Sequence, residues 1–252
     1  PLHAIITAKE CLIGVDVTGI ELHKRPYKLM PYPSSLNGVM AYTIARAVGV
    51  TKESNVVDPF CGSGTIPIEI ALYQQHVSPL SLNTQMTILH IKKKKKSFEE
   101  IKEQTRTQKA SASKQVTGYD NQFKIISQAN KHAKLARVKD SVVLSKVDVD
   151  WIDMKFEKDS IDIIITNPPK ENKKTNNYKE IQKLYDDFGY QIRHILNPEG
   201  RAGILLVKTE LFLEAIKPHN LEVETILEIR SGEQPYQLVI LKKGSEKAKE
   251  WD

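Results

Sequence analysis

Apolar residues in this chain gather into short runs, and these alternate with stretches whose apolar positions recur at helical spacing. Residues 1–33 alternate apolar and polar in small pieces, Ala4-Ile5-Ile6, Cys11 to Val15 and Ile20-Glu21-Leu22, and predict a strand-rich opening segment closed by Pro31 and Pro33. Ser34 or Ser35 is placed to cap a helix over Leu36–Val48, stopped near Gly49. Val56-Val57 then reads as a strand and Ile66–Tyr73 as a helix, with Pro67 tolerated in its first turn. A strand over Val116–Tyr119, a helix over Phe123–Ala136 and strands over Val142–Val147 and Ile161–Thr166 follow. Helix Tyr178–Leu196 carries Ile181, Leu184, Tyr185, Phe188, Ile192 and Ile195 on one face. Strand Ala202–Val207, helix Glu210–Ile216 and a hairpin of Val223–Ile229 with Tyr236–Leu241 complete the chain. Apolar strands separated by helices predict an α/β fold whose parallel sheet is covered on both faces.

Residues 77–115 break this rhythm. They are polar, lysine-rich and weakly periodic, and predict a surface insertion, partly helical or mobile. Domain organisation is therefore expected as an N-terminal segment, 1–33, and one domain, 34–252, carrying the insertion.

Composition narrows the function classes. The 252 residues are 40% hydrophobic, enough chain to bury one sizeable core. No run approaches the roughly 20 apolar residues of a membrane span, and no signal-peptide pattern opens the chain. Pro1 in place of Met points to processing or, above all, to a fragment cut from a longer protein. Cys11 and Cys61 are the only cysteines and lie far apart, which argues against disulfides and zinc and fits a reducing cytoplasm. The net charge of +6 favours an anionic partner, nucleic acid above all, and the run Lys92–Lys96 sharpens that expectation. Taken alone, the run is equally well explained as a solvated insertion.

Two strand ends carry the chemistry. Val56-Val57-Asp58-Pro59-Phe60-Cys61-Gly62-Ser63-Gly64-Thr65 is a strand, a tight glycine turn and a helix start. Glycines there allow close backbone approach to a ligand, and free N–H groups at the helix start can face it. Ile163-Ile164-Ile165-Thr166-Asn167-Pro168-Pro169 is a second apolar strand ending in Asn-Pro-Pro. The Asn side-chain oxygen and the following carbonyl can accept both N–H bonds of an exocyclic base amine, turning its lone pair toward an electrophilic methyl. The prolines fix that backbone and offer no competing donors. Catalysis is then orientation and electrostatics without a covalent intermediate. Together the turns point to S-adenosylmethionine-dependent methylation of a nucleobase amine. Asp120, closing Gly118-Tyr119-Asp120, is placed to accept bonds from a ribose. Asp148 or Asp150 could meet an adenine amino group, with Val149 or Trp151 along the ring.

The order Ser35-Leu36-Asn37, Asp58 to Thr65, Gly118-Tyr119-Asp120 and Thr166-Asn167-Pro168-Pro169 resembles the catalytic domain of THUMP-associated tRNA and rRNA guanine-N2 methyltransferases. The resemblance covers about residues 10–243, insertion included. It implies a Rossmann-like methyltransferase fold with a mostly parallel seven-stranded sheet and a terminal antiparallel hairpin. S-adenosylmethionine is the implied donor, guanine N2 in structured RNA, most of all tRNA, the implied acceptor. Carried onto this chain, Asp58 and Gly62 to Gly64 hold the methionine end of the donor, Asp120 its ribose and Asp148 its adenine. The contacting set comprises Ser35, Asp58, Phe60, Cys61, Gly62, Ser63, Gly64, Thr65, Asp120, Asn121, Asp148, Val149 and Asn167, with Asn167, Pro168 and Pro169 catalytic. No metal is expected. The family's THUMP module is missing, although residues 1–33 resemble the linker after it. Where the family continues Asn-Pro-Pro with Tyr or Phe, able to stack on a flipped base, this chain has Lys170, and Tyr178 is a candidate substitute. Adenine-N6 methylation and a non-catalytic SAM- or RNA-binding role are the competing readings.

Overall fold

A computed structural model describes residues 2–30, 35–82, 88, 96–101, 103, 115–171, 177–232 and 234–245. The chain opens with a hairpin of β1 (Leu2–Ile6) and β2 (Cys11–Val15), exposed throughout. Ile20-Glu21-Leu22, expected as strand, instead forms bends and a turn, because Asp16 Oδ1 accepts the N–H bonds of Thr18 and Gly19 and folds the chain back just before it.

The elements that follow are α1 (Gly38–Val48), β3 (Val56–Asp58), α2 (Thr65–Gln74), β4 (Val116–Asp120), α3 (Phe123–Leu135), β5 (Val142–Lys146), β6 (Ile161–Thr166), α4 (Tyr178–Ile195), β7 (Leu196–Leu206), α5 (Glu210–Ile216), β8 (Leu221–Ser231) and β9 (Gln234–Lys243). Seven strands build one sheet in the order β5-β4-β3-β6-β7-β9-β8. The first five are parallel, and β9 enters antiparallel between β7 and β8. The α/β sheet with its antiparallel closing hairpin is thus the one the apolar pattern predicts.

Successive strand residues point to opposite faces, so each strand feeds two cores. Val56, Ile163, Ile165, Leu205, Leu238 and Ile240 pack with α1, α2 and α3. Val57, Ile164, Ile204, Leu206, Val239 and Leu241 pack with α4 and α5. Burial on both faces is why these strands read as continuous apolar runs. Helix α2 is buried at nearly every position, including Pro67 in its first turn. Within the expected insertion, Pro79–Leu82 form a short 3-10 helix, while Lys92–Lys95 lie outside the described residues.

Candidate active site

In an open parallel sheet ligands sit beyond the carboxyl ends of the strands, where the winding changes direction. Here that point is β3, flanked by β4 on one side and β6 on the other. The ends of β3, β4, β5 and β6 deliver Asp58, Asp120, Asp148 and Asn167 to one cleft of about 1400 Å³.

The glycine turn forms its floor. Gly62 and Gly64 take φ of 51° and 84°, the left-handed region open to glycine. The Cys61 N–H donates to the Tyr119 carbonyl at 2.7 Å, fastening the turn to β4, and the Gly64 N–H donates to Cys61 O at 2.9 Å. A Cβ at Gly64 would lie 3.0 Å from that of Ala129 on α3. Glycine there lets α3 pack closely against the turn, and Gly64 is not among the residues lining the cleft.

Asp58 accepts the Phe60 N–H at 3.2 Å on Oδ1, while Oδ2 is buried with no hydrogen-bond partner among the described residues. Burial pushes this carboxyl up to about 7. The Thr166 hydroxyl lies close enough to pull it down, although not placed for a hydrogen bond, and Asp120 raises it further. Half-buried Asp120 is also raised, first by burial; the N–H groups of Gln122 (2.9 Å) and Gly62 oppose this, and Asp148 adds to it. Burial, then Asp58, pushes the Cys61 thiol upward and keeps it protonated.

Ser35 is not the cap of α1. Asn37 is, its Oδ1 accepting the Val39 N–H at 2.8 Å. The Ser35 hydroxyl instead lies 2.8 Å from that of Ser63 and 3.0 Å from that of Thr65, stitching the segment before α1 to the glycine turn. Of the residues expected at the cofactor, Ser35, Asp58, Phe60, Cys61, Gly62, Ser63 and Thr65 line the cleft from this side. Asp120, Asn121, Asp148 and Val149 line it from the strands beyond. Asp150 and Trp151 do not; Trp151 is more than half exposed on the short helix after Asp148.

Opposite stand Asn167, Pro168 and Pro169. Pro168 is buried, and the Pro169 carbonyl accepts the Tyr185 hydroxyl at 2.7 Å. Lys170 is exposed, and Glu171 meets Lys208 at 3.4 Å. Tyr178, half exposed at the start of α4, shares this wall, as does Tyr236 of β9.

Two supports of the site escape sequence reading. Glu69, a single carboxylate in an otherwise apolar stretch of α2, receives Arg25 through Nε (2.7 Å) and Nη2 (2.9 Å) and the Tyr27 hydroxyl (2.6 Å). The network closes over Gly38, where a Cβ would fall 2.6 Å from the Arg25 side chain. His132 of α3, fully buried, bridges the Ser63 carbonyl (3.0 Å, Nδ1) and the Met30 N–H (3.4 Å, Nε2). Since Nε2 accepts, Nδ1 carries the proton and donates to Ser63; burial lowers the ring's pKa and favours this neutral form. Residues 25–30, expected to belong to a separate opening segment, are thereby tied to α2 and α3. The signals were legible: a lone acid in an apolar helix, and a histidine on the apolar face of α3.

The family described as UPF0020, RMKL-like methyltransferase domain, matches residues 25–234. Among curated relatives, the tRNA (guanine(6)-N2)-methyltransferase of Methanocaldococcus jannaschii is 29% identical over 230 residues, 88% of this chain and 58% of that protein. The ribosomal RNA large subunit methyltransferase K/L of Vibrio parahaemolyticus is 26% identical over 197 residues, 76% of this chain and 28% of that protein. The chain thus spans little more than half of the first relative and less of the second. Among solved structures, TrmN from Thermus thermophilus superposes with a TM-score of 0.70 at 21% identity, covering 96% of this chain and 59% of that one. A methylase from Clostridium difficile 630 gives 0.79 at 24% identity, with 98% and 62% covered. At such identities these two establish the fold.

Proposed function

The chain belongs to the RMKL-like methyltransferase domain family, and from that premise we propose that its cleft methylates the exocyclic N2 amine of guanine in structured RNA, tRNA in particular, with S-adenosylmethionine as donor. The observation that carries this reading is the convergence of Asp58, Asp120 and Asp148 with Asn167-Pro168-Pro169 on one cleft. The name of the archaeal relative, a tRNA guanine-N2 methyltransferase, supports the choice of acceptor.

The residues present fit the donor. The buried, unpartnered Oδ2 of Asp58 is a site for a cationic or N–H-bearing group, as the ammonium of the donor's methionine end would be. Asp120, at the mouth of the next strand, takes N–H bonds from Gln122 and Gly62 and keeps lone pairs on its carboxylate that can accept ribose hydroxyls. Asp148 and Val149 line the cleft, where they would meet the polar edge and the face of an adenine ring. When bound, S-adenosylmethionine supplies a methyl group on cationic sulfur. The Asn167 side-chain oxygen and the Pro168 carbonyl accept the two N–H bonds of the amine and so direct its lone pair. The proline rings present no N–H to compete for these oxygens. Orientation accounts for most of the rate, as in other sites that bring two reactants together. The methyltransferase domain is taken to run from Arg25, since Arg25, Tyr27 and Met30 are bonded to α2 and α3.

The test is methyl transfer from labelled S-adenosylmethionine to unmodified tRNA, with DNA as control and the product identified by mass spectrometry. N2-methylguanosine is expected, and Asn167→Ala should lower the rate about a hundredfold or more, as for loss of one transition-state hydrogen bond, with donor affinity nearly unchanged. An adenine-N6 product would replace the acceptor assignment. Wild-type transfer no faster than that of Asn167→Ala would leave a SAM- or RNA-binding role in its place.

A further inference from the structure

A Pro-Pro segment has no backbone N–H at either residue, so the fold can hold it only by packing and through its carbonyl groups. In the Asn167-Pro168-Pro169 turn, one of those carbonyls, Pro168, is the group read above as the acceptor of the substrate amine. The other, Pro169, accepts the Tyr185 hydroxyl at 2.7 Å. The geometry points to Tyr185 as the positioning residue of the methyl-transfer step, fixing the peptide planes of the Asn-Pro-Pro turn so that the Pro168 carbonyl and the Asn167 amide address one amine together. The inference rests on the roles read for Asn167 and Pro168 under the proposed function.

Tyr185 is itself held rigidly. Its ring is 3% exposed and meets Phe212 of α5 edge-on, with centroids 5.3 Å apart. Phe212 packs on Phe188 at 6.3 Å, and Phe188, one helical turn after Tyr185, meets Phe60 edge-on at 5.1 Å. Phe60 belongs to the glycine turn. A continuous aromatic row therefore joins the turn on the donor side of the cleft to the turn on the acceptor side, with α4 as the beam between them. The edge-on pairs at the two ends of the row are directional, so those contacts resist sliding as well as separation. At its far end only the hydroxyl leaves the apolar layer, and it reaches the one proline carbonyl the substrate does not need. Burial, with Glu171 nearby, pushes the phenol up to about 12, so the group stays a donor through the neutral range.

Pro169 is exposed, so losing the bond returns its carbonyl to water and costs the fold little. Its cost should appear in geometry. Tyr185→Phe keeps the ring and its packing and removes only the oxygen. In the full-length protein on unmodified tRNA, kcat should fall about ten- to a hundredfold, the scale of a small misplacement of reacting groups. KM for tRNA and Kd for S-adenosylmethionine should stay within about twofold, since the hydroxyl serves neither binding step. In protein labelled with carbonyl-13C proline, the Pro169 resonance should move on the same substitution, because a hydrogen-bonded carbonyl carbon is deshielded. An unchanged kcat, or donor affinity falling as far as kcat, would overturn the inference. Absence of transfer by the unsubstituted protein would strike instead at the guanine-amine reading. In that case the Pro169 resonance decides the matter, and its failure to move would refute the hydrogen bond itself.

Discussion

Asp58 should make the ligand-free protein less stable as pH rises, and Asp58→Asn should remove that dependence. Its carboxyl is buried, one oxygen has no partner, and burial lifts it from an ordinary 3.8 to about 7. Between those values the folded protein holds a proton that the unfolded chain has released, so folding binds protons and stability falls with increasing pH. The stabilisation due to protonated Asp58 is complete below 3.8 and lost as pH rises through about 7. The full span is about 4 kcal/mol at about 1.4 kcal/mol per pH unit, of which about 3 kcal/mol falls between pH 5 and pH 9. Asp120, also raised, titrates in both proteins and cancels in the comparison. Urea unfolding of wild type and Asp58→Asn at pH 5 and pH 9 reads the difference directly: the wild type should lose about 3 kcal/mol more than the variant. Ligand binding gives a second reading with the opposite consequence. A cationic group beside Oδ2 requires the ionised form, so wild-type affinity for S-adenosylmethionine should weaken about tenfold per pH unit below 7, and that of Asp58→Asn should not. Parallel stability profiles for the two proteins would refute the reasoning, since they would show Asp58 to be ionised in the fold at neutral pH.

Asp120→Ala should weaken S-adenosylmethionine binding by about 1.5–3 kcal/mol, as for a lost hydrogen bond to a charged group, and calorimetry on the unsubstituted protein showing no binding at millimolar ligand would remove the cofactor assignment altogether. Arg25→Met leaves Glu69 buried with only the Tyr27 hydroxyl, and should cost about 3–5 kcal/mol in thermal or urea unfolding, whereas adding Glu69→Met and Tyr27→Phe, which removes the charge and the hydroxyl it would orphan, should recover most of that loss.

The parts of the fold that could be read from sequence are those where local pattern and burial agree. Val56-Val57 and Ile163 to Ile165 are apolar at consecutive positions because both sheet faces are covered, and the same run could not serve a one-sided sheet. Helix α4 announced itself through Ile181, Tyr185, Phe188, Ile192 and Ile195, all of which are buried. The local signature of Ser35, serine ahead of a helix, suits a cap; only the tertiary approach of Ser63 and Thr65 diverts its hydroxyl and leaves the cap to Asn37. At Gly64 the packing of α3 also asks for a glycine, and a glycine near a ligand and a glycine beneath a packed helix look alike in sequence. The Arg25–Glu69 pair spans 44 residues, and the Tyr185–Pro169 bond depends on how α4 turns back over the sheet. Such partnerships arise from topology, which no window of neighbouring residues contains.

The position of β3 has a consequence for the timing of synthesis. This three-residue strand lies in the middle of the sheet, yet its partners Val116 on β4 and Ile163 on β6 are made long after it. At about 5–20 residues per second, Ile163 leaves the ribosome about 5–20 s after Val56. For the first part of that interval, about 3–12 s until β4 follows, α2, apolar on nearly every side, has no paired strand to cover. The nascent chain therefore exposes its most apolar helix for seconds, a window in which a chaperone has time to bind and an aggregate has time to form.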